Sequence, residues 1–197
     1  LENKKTDNNV ELYDSQREKY INYKLNTAKV MPLCKISTIN NILPFTEKYG
    51  CIKIHKPNLP SRKISISTEK DEEHMYENVK TCVQKNKVPT LVINYSDKPC
   101  PYYNVPKVIL AHSMSGFPMV DLEGKYGISN RDKYVITDYD KKDLIKLCKF
   151  LSQKNVQELF KCTRYRMMFL ERYIFRLIPD VTKISKSDTE IITKLLI

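Results

Sequence analysis

Glycine is scarce in this chain of 197 residues: Gly50, Gly116, Gly124 and Gly127 are the whole set. Neither a G-x-G-x-x-G fingerprint nor a P-loop can be assembled from four such positions, so the usual backbone cradles for dinucleotides and nucleoside triphosphates are missing. Tryptophan is absent, and only three histidines occur, His55, His74 and His112, scattered along the chain. Each is expected to be a surface or packed side chain rather than a catalytic base. The six cysteines (Cys34, Cys51, Cys82, Cys100, Cys148 and Cys162) include no C-x-x-C pair and no close histidine partner. Structural zinc ligands come in short-spaced pairs, so no metal site is expected, and the cysteines are expected to be reduced residues of an intracellular protein. No apolar run approaches the roughly 18–20 residues of a membrane span. The polar opening from Leu1 to Asn9 lacks the apolar stretch of a signal peptide, and with no initiator methionine the chain is expected to be a fragment of a longer one.

What is abundant is positive charge. Thirty-four Lys and Arg against 23 Asp and Glu leave a net charge of +11. Residues 1–100 hold 17 basic and 12 acidic groups and residues 101–197 hold 17 and 11, so the excess is +5 and +6 rather than a basic tail. A broadly basic folded domain suits polyanions, because each neutralised phosphate releases condensed counterions. A lysine-favouring codon usage is the alternative source, since Lys, Asn and Ile are all common here. Hydrophobic residues make up 41% of the chain, enough for a real core.

Residues 10–30 have mixed helical character, with Tyr13, Tyr20 and Tyr23 set among charges. Residues 42–68 look extended: Ile52 and Ile54 alternate with Lys53 and His55, Ile64 and Ile66 with Lys63 and Ser65. Acidic residues at Glu69 and Asp71–Glu73, followed by Met75, Val79, Cys82 and Val83 at helical spacing, predict a helix over 69–86. Strands are predicted at Thr90–Tyr95, Val105–Leu110, Phe117–Val120 and Tyr134–Ile136. Asp140 is a predicted N-cap for a helix over 141–160, and a second helical stretch covers 163–177 before Pro179. The fold expected is α+β, a mixed or antiparallel sheet with flanking helices. It divides into a mixed N-terminal part, 1–88, and a strand-rich segment followed by two helices, 89–197, unless the whole is a single domain.

Two stretches could carry function. Asp121-Leu122-Glu123-Gly124 predicts a tight turn, with Gly124 supplying a positive-φ site. The turn leads into Lys125, Tyr126, Ser129, Asn130 and Arg131, which as a hairpin could meet phosphates and base edges; an ordinary turn on a solvated edge is the alternative. The second stretch holds Arg164, Arg166, Arg172 and Arg176. On a helix, Tyr165, Phe169, Arg172 and Arg176 share one face, opposite Met167, Leu170, Ile174 and Leu177. Arginines interleaved with aromatics can grip phosphate or stack on bases; an amphipathic helix with a solvated basic side is the alternative.

The order of segments in 100–184 resembles the C-terminal specificity domains of Taq-type adenine methyltransferases and fused restriction–methylase enzymes. The resemblance rests on Gly124-Lys125-Tyr126-Gly127-Ile128-Ser129, the strand Tyr134-Val135-Ile136, a helix ending at Phe160, and the closing run Phe175-Arg176-Leu177-Ile178-Pro179-Asp180-Val181. It implies a non-catalytic module that chooses a sequence on double-stranded DNA for a methyltransferase or nuclease domain in cis or in trans. Lys125, Tyr126, Ser129, Arg131, Arg164, Arg166, Arg172 and Arg176 are its contact candidates. The Asn/Asp-Pro-Pro-aromatic tetrapeptide of amino-methyltransferases is absent, so S-adenosylmethionine would bind an upstream domain and this chain would hold no cofactor. Two other readings stand beside this one. Glu123-Gly124-Lys125, with Asp97 or Asp121, could form a metal-dependent nuclease motif of the PD-(D/E)xK type. The 13 tyrosines could instead serve the interfaces of an assembly protein.

Overall fold

A computed structural model describes residues 9–25, 30–85, 88–112, 117–165 and 169–196. The chain divides into two compact units, one formed by residues 1–52 together with 153–197, the other by 53–152. The position 88/89, where the sequence pattern changes, lies inside a strand of the second unit rather than between units. Both helices and mixed or antiparallel sheets are present, and the fold is α+β.

The first unit opens with a hairpin, β1 Asn9–Asp14 and β2 Lys19–Lys24, in register from Asn9 opposite Lys24 to Asp14 opposite Lys19. Tyr13 and Tyr20 pair across it edge to face, 5.4 Å between centroids, and both are exposed. Helix α1, Ile36–Tyr49, buries Ile36, Ile39, Ile42 and Leu43 at helical spacing and stops at Gly50, whose φ is +77°. It tolerates Pro44, which lacks the N–H that would bond one turn back. The same unit holds α3, Lys154–Phe160, the 3₁₀ turns Lys161–Thr163 and Arg172–Arg176, and α4, Lys186–Leu195. Its core includes Val156, Leu159, Phe160, Ile174, Phe175 and Ile192, with the Phe160 and Phe175 rings 5.8 Å apart. Asp180 N–H donates to the Gly50 carbonyl at 2.9 Å, and the Asp188 carboxylate accepts from Tyr49 Oη at 2.5 Å and Lys48 Nζ at 3.0 Å.

The second unit contains two sheets. Strands β3 Ile66–Ser67, β4 Tyr76–Lys85, β5 Val88–Ser96 and β8 Gly127–Ile128 lie in the order β3-β5-β4-β8, antiparallel except for the parallel β4–β8 pair. Strand β6 Lys107–Ala111 is buried at every position between β7 Pro118–Asp121 and β9 Lys133–Ile136, both antiparallel to it. Val79, Ile109, Ile128 and Val135 form a core cluster on which Leu91, Ile93, Tyr102 and Tyr126 pack. Helix α2, Lys141–Leu151, buries Leu144, Leu147 and Leu151, and Asp140 caps it by accepting from Asp143 N–H at 2.7 Å.

Several sequence expectations are corrected. Within residues 10–30, the stretch to Lys24 is a β-hairpin, because Val10, Leu12, Ile21 and Tyr23 alternate with polar neighbours; residues 26–29 lie outside the described residues. The segment expected to be extended from 42 begins inside α1. Of the helix predicted over 69–86, residues 69–75 are irregular and 76–85 form strand β4. A bulge between Val79 and Thr81 shifts its phase, so Val79 and Cys82 are both buried though three residues apart, a spacing that imitates a helix. The predicted 141–160 helix breaks at Ser152–Gln153 into α2 and α3. The stretch 163–177 is no continuous helix: its described parts are the two short 3₁₀ turns and irregular backbone. Among the described residues no helix is long and apolar enough to cross a membrane.

Candidate nucleic-acid interface

The turn after β7 is built on a buried ion pair. Lys107 on β6 is wholly buried and places Nζ 2.6 Å from Asp121 Oδ2. The Asp121 carboxylate also accepts the backbone N–H of Lys125 at 2.9 Å and of Tyr126 at 3.0 Å. Burial lowers the Lys107 pKa, although the Asp121 hydrogen bond and charge oppose the shift. Gly124 has φ +66°, and its carbonyl accepts Asn104 N–H at 2.8 Å. A Cβ there would stand 2.5 Å from Asn104 C and Val105 N, so only glycine fits. The loop is therefore pinned at both its acidic start and its glycine.

The candidate side chains on this loop and after β8 differ in what they offer. Lys125 is exposed, lies 2.9 Å from Glu77 Oε2 and sits over the Tyr126 ring at 5.1 Å; the Glu77 hydrogen bond raises its pKa. Tyr126 is half-buried against the core cluster. Ser129 Oγ donates inward to Asn94 Oδ1 at 2.8 Å. Arg131 is exposed. These residues do not form the hairpin the sequence suggested: β7 pairs with β6, whereas β8 joins the other sheet beside β4.

The acidic residues of the nuclease reading are engaged separately. Asp121 holds Lys107, Glu123 pairs with Lys141 at 2.7 Å, and Asp97 Oδ1 accepts Ser65 N–H at 2.8 Å. Glu123 and Lys125 lie on the loop, not on a strand. Among the described residues no three His, Cys, Asp or Glu side chains are grouped closely enough to hold a metal ion.

The basic C-terminal stretch, in the first unit, forms an arginine–aromatic patch without a long helix. Arg172 and Arg176 are exposed on one 3₁₀ turn and flank Tyr173, their guanidinium carbons 5.7 and 5.6 Å from its ring centre. Tyr165, 44% exposed, lies 6.1 Å from Tyr173 ring to ring and donates to the Met31 carbonyl at 2.5 Å. Leu170, Ile174 and Leu177 are buried behind the patch. Arg164 is half-buried. Arg166 and Met167 lie outside the described residues.

Two arrangements escaped the sequence reading. In the first unit a pocket of about 270 Å³ is lined by Arg17, Lys19, Tyr20, Ser37, Asn40 and Asn41. Behind it is Asp14. Burial pushes its carboxyl up, but hydrogen bonds from the Ser37 hydroxyl, the Ser37 amide and the Gln16 amide hold it below the usual range. A stretch of mixed helical character at 10–30 gives no sign that Arg17 and Lys19 face a common space. The charged four-residue turn between alternating strands was the available signal.

In the second unit Ser65 Oγ lies 2.9 Å from His74 Nε2, and His74 Nδ1 lies 2.9 Å from Asp71 Oδ1, the order of a serine–histidine–aspartate relay. The N–H groups of Lys63, Ile64, Ser65, Glu69, Glu73 and His74 already donate within the loop or to Asp97. The constellation thus uses its polar groups to close the 61–74 loop. No protein-family model, no curated protein and no solved structure matches the chain.

Proposed function

We propose that the chain is a nucleic-acid-binding module that selects a site on double-stranded DNA for a methyltransferase or nuclease centre held elsewhere, and performs no chemistry itself. The observation that carries the reading is the patch of exposed Arg172 and Arg176 around the half-buried Tyr173, flanked by Tyr165. A guanidinium pair offers bidentate phosphate contacts, and an arginine-bracketed ring offers a stacking surface. Charge balance supports it: residues 1–52 with 153–197 hold 17 basic and 11 acidic groups, and residues 53–152 hold 17 and 12. Each unit is therefore separately basic. The segment order in 100–184, with its Gly124–Ser129 run, supports the narrower role of target selection, and the pinned loop bearing Lys125, with exposed Arg131 after β8, suits base-edge contacts.

Fluorescence anisotropy with labelled duplex at rising salt tests this. Binding at low salt should weaken with a log–log slope near −0.9 per neutralised phosphate. Plasmid incubated with the chain and magnesium should stay intact. Absence of binding at low salt would favour an assembly role, whereas cleavage lost in Glu123→Ala would favour the nuclease.

A further inference from the structure

Cys34 and Cys162 are 128 positions apart in sequence, yet their sulfurs lie 3.3 Å from each other in the first unit. That is closer than two sulfurs at van der Waals separation, and the contact is not left to two mobile side chains. Leu33 N–H donates to the Cys162 carbonyl at 2.7 Å, and Tyr165 Oη donates to the Met31 carbonyl at 2.5 Å. The backbone on either side of the pair is thus fixed, and closing to bonding distance asks chiefly for rotation about the two side chains. Access is unequal. Cys162 is fully buried, whereas Cys34 is partly exposed and follows directly on the half-exposed chain at Leu33.

We propose that Cys34 and Cys162 form a reversible disulfide, with Cys34 as the thiol that meets the oxidant and Cys162 as the resolving thiol. With a hydroperoxide as oxidant, Cys34 thiolate attacks one peroxide oxygen, the O–O bond breaks, and a sulfenic acid forms as hydroxide leaves. Cys162 sulfur then attacks the Cys34 sulfur, its proton passes to the departing hydroxide, and water is released. The two sulfurs lose two electrons in total and the two peroxide oxygens gain them. A dithiol reductant reverses the change by exchange. The environment favours this division: the Cys162 thiol hydrogen-bonds the Cys34 sulfur and, with the Lys35 charge, brings the Cys34 pKa down to about 7, while the same contact and burial push Cys162 up. A thiolate-rich, accessible sulfur beside a buried partner is the arrangement of a redox-sensitive pair. The inference is independent of nucleic-acid binding, although the bond would anchor the chain two residues before Arg164.

The full chain is treated with hydrogen peroxide, alkylated in denaturant and digested without reductant. Titratable thiols should fall from the six in the sequence to four, and one cross-linked peptide should join Cys34 to Cys162. Dithiothreitol should restore all six. In Cys162→Ser the cross-link should vanish and a sulfenic-acid probe should label Cys34, while Cys51→Ser, removing the exposed cysteine, should leave the cross-link intact. A cross-link through Cys51, sulfinic acid at Cys34 without a cross-link, or six thiols still free would each overturn the proposal. The mapping of the unsubstituted chain decides it even where a variant fails to fold.

Discussion

Removing the Asp121 carboxylate, as in Asp121→Ala, should unfold the second unit's turn from the inside. Lys107 is fully buried, and without Asp121 its ammonium keeps only the Val105 carbonyl, 3.1 Å away. Breaking a buried pair by deleting one partner costs about 3–5 kcal/mol, because the other charge stays behind uncompensated. The N–H groups of Lys125 and Tyr126 lose their acceptor as well. They sit on a loop that water can reach, so each adds about 1 kcal/mol, at the low end for an orphaned donor. A total of about 5–7 kcal/mol is a large part of the roughly 5–15 kcal/mol that holds a typical domain together. The paired change Lys107→Met with Asp121→Asn removes both charges and keeps one acceptor, so it should stay within about 2 kcal/mol of the parent. The sign of the pH dependence is fixed too. Burial depresses the folded pKa of Lys107, so between that value and the unfolded one the unfolded chain binds more protons and stability rises with pH. Loss of Asp121 removes the terms that oppose the depression. The window then widens downward, and the deficit of Asp121→Ala should shrink as pH rises toward the unfolded lysine value of about 10.4. Urea unfolding followed by circular dichroism gives the stability, and amide hydrogen exchange at Lys125 and Tyr126 gives the local opening. A loss under about 1 kcal/mol with both amides still protected would refute the reasoning.

Arg172→Ala and Arg176→Ala should each weaken binding to all duplexes alike and lower the salt slope by about one, measured by anisotropy titration. Arg131→Ala should instead cut the preference for a selected over a scrambled duplex, by about 1–3 kcal/mol in competition titrations. Equal losses on both duplexes would remove Arg131 from base contact. Gly124→Ala should lower the melting temperature sharply, since its Cβ meets backbone at 2.5 Å in a positive-φ conformation; an unchanged melting curve would contradict the turn geometry. The hydrogen bonds from Tyr49 and Lys48 hold the Asp188 carboxyl below its ordinary range. Its stabilisation is therefore present above the unfolded value near 4 and lost as pH falls through the folded one. Asp188→Asn should flatten that part of the acid melting profile, and an identical acid profile would show the pair to be idle.

Where side-chain pattern and backbone agree, the fold was legible. The β-branched and aromatic run at 90–95, the apolar run of β6, Tyr134–Ile136, and Asp140 as an N-cap all follow from strand-forming composition and capping chemistry. Legibility failed where a local device changed the period. The bulge at Lys80 put Val79 and Cys82 on one face, and Pro44 disguised the interior of α1. The hairpin at 9–24 was masked by charges and tyrosines on its exposed side. For the site, residue types were readable but their partners were not. Nothing local says that Ser129 turns inward to Asn94, or that Lys125 meets Glu77 from 48 positions away. Nor does sequence proximity hint that Cys34 touches Cys162.

The division into units also constrains how the molecule is made. Residues 53–152 form a self-contained insert, whereas the unit that hosts them is assembled from the two ends of the chain. During synthesis the insert is complete as soon as Ser152 has left the ribosome, and its hairpin β4–β5 needs only neighbouring residues to pair. The host cannot close until Gln153 and everything after it arrive, so the β1–β2 hairpin and α1 must wait for about a hundred residues of synthesis. At ordinary elongation rates that delay is on the order of 5–20 s. The excised segment 53–152 is thus the part that should fold when expressed alone.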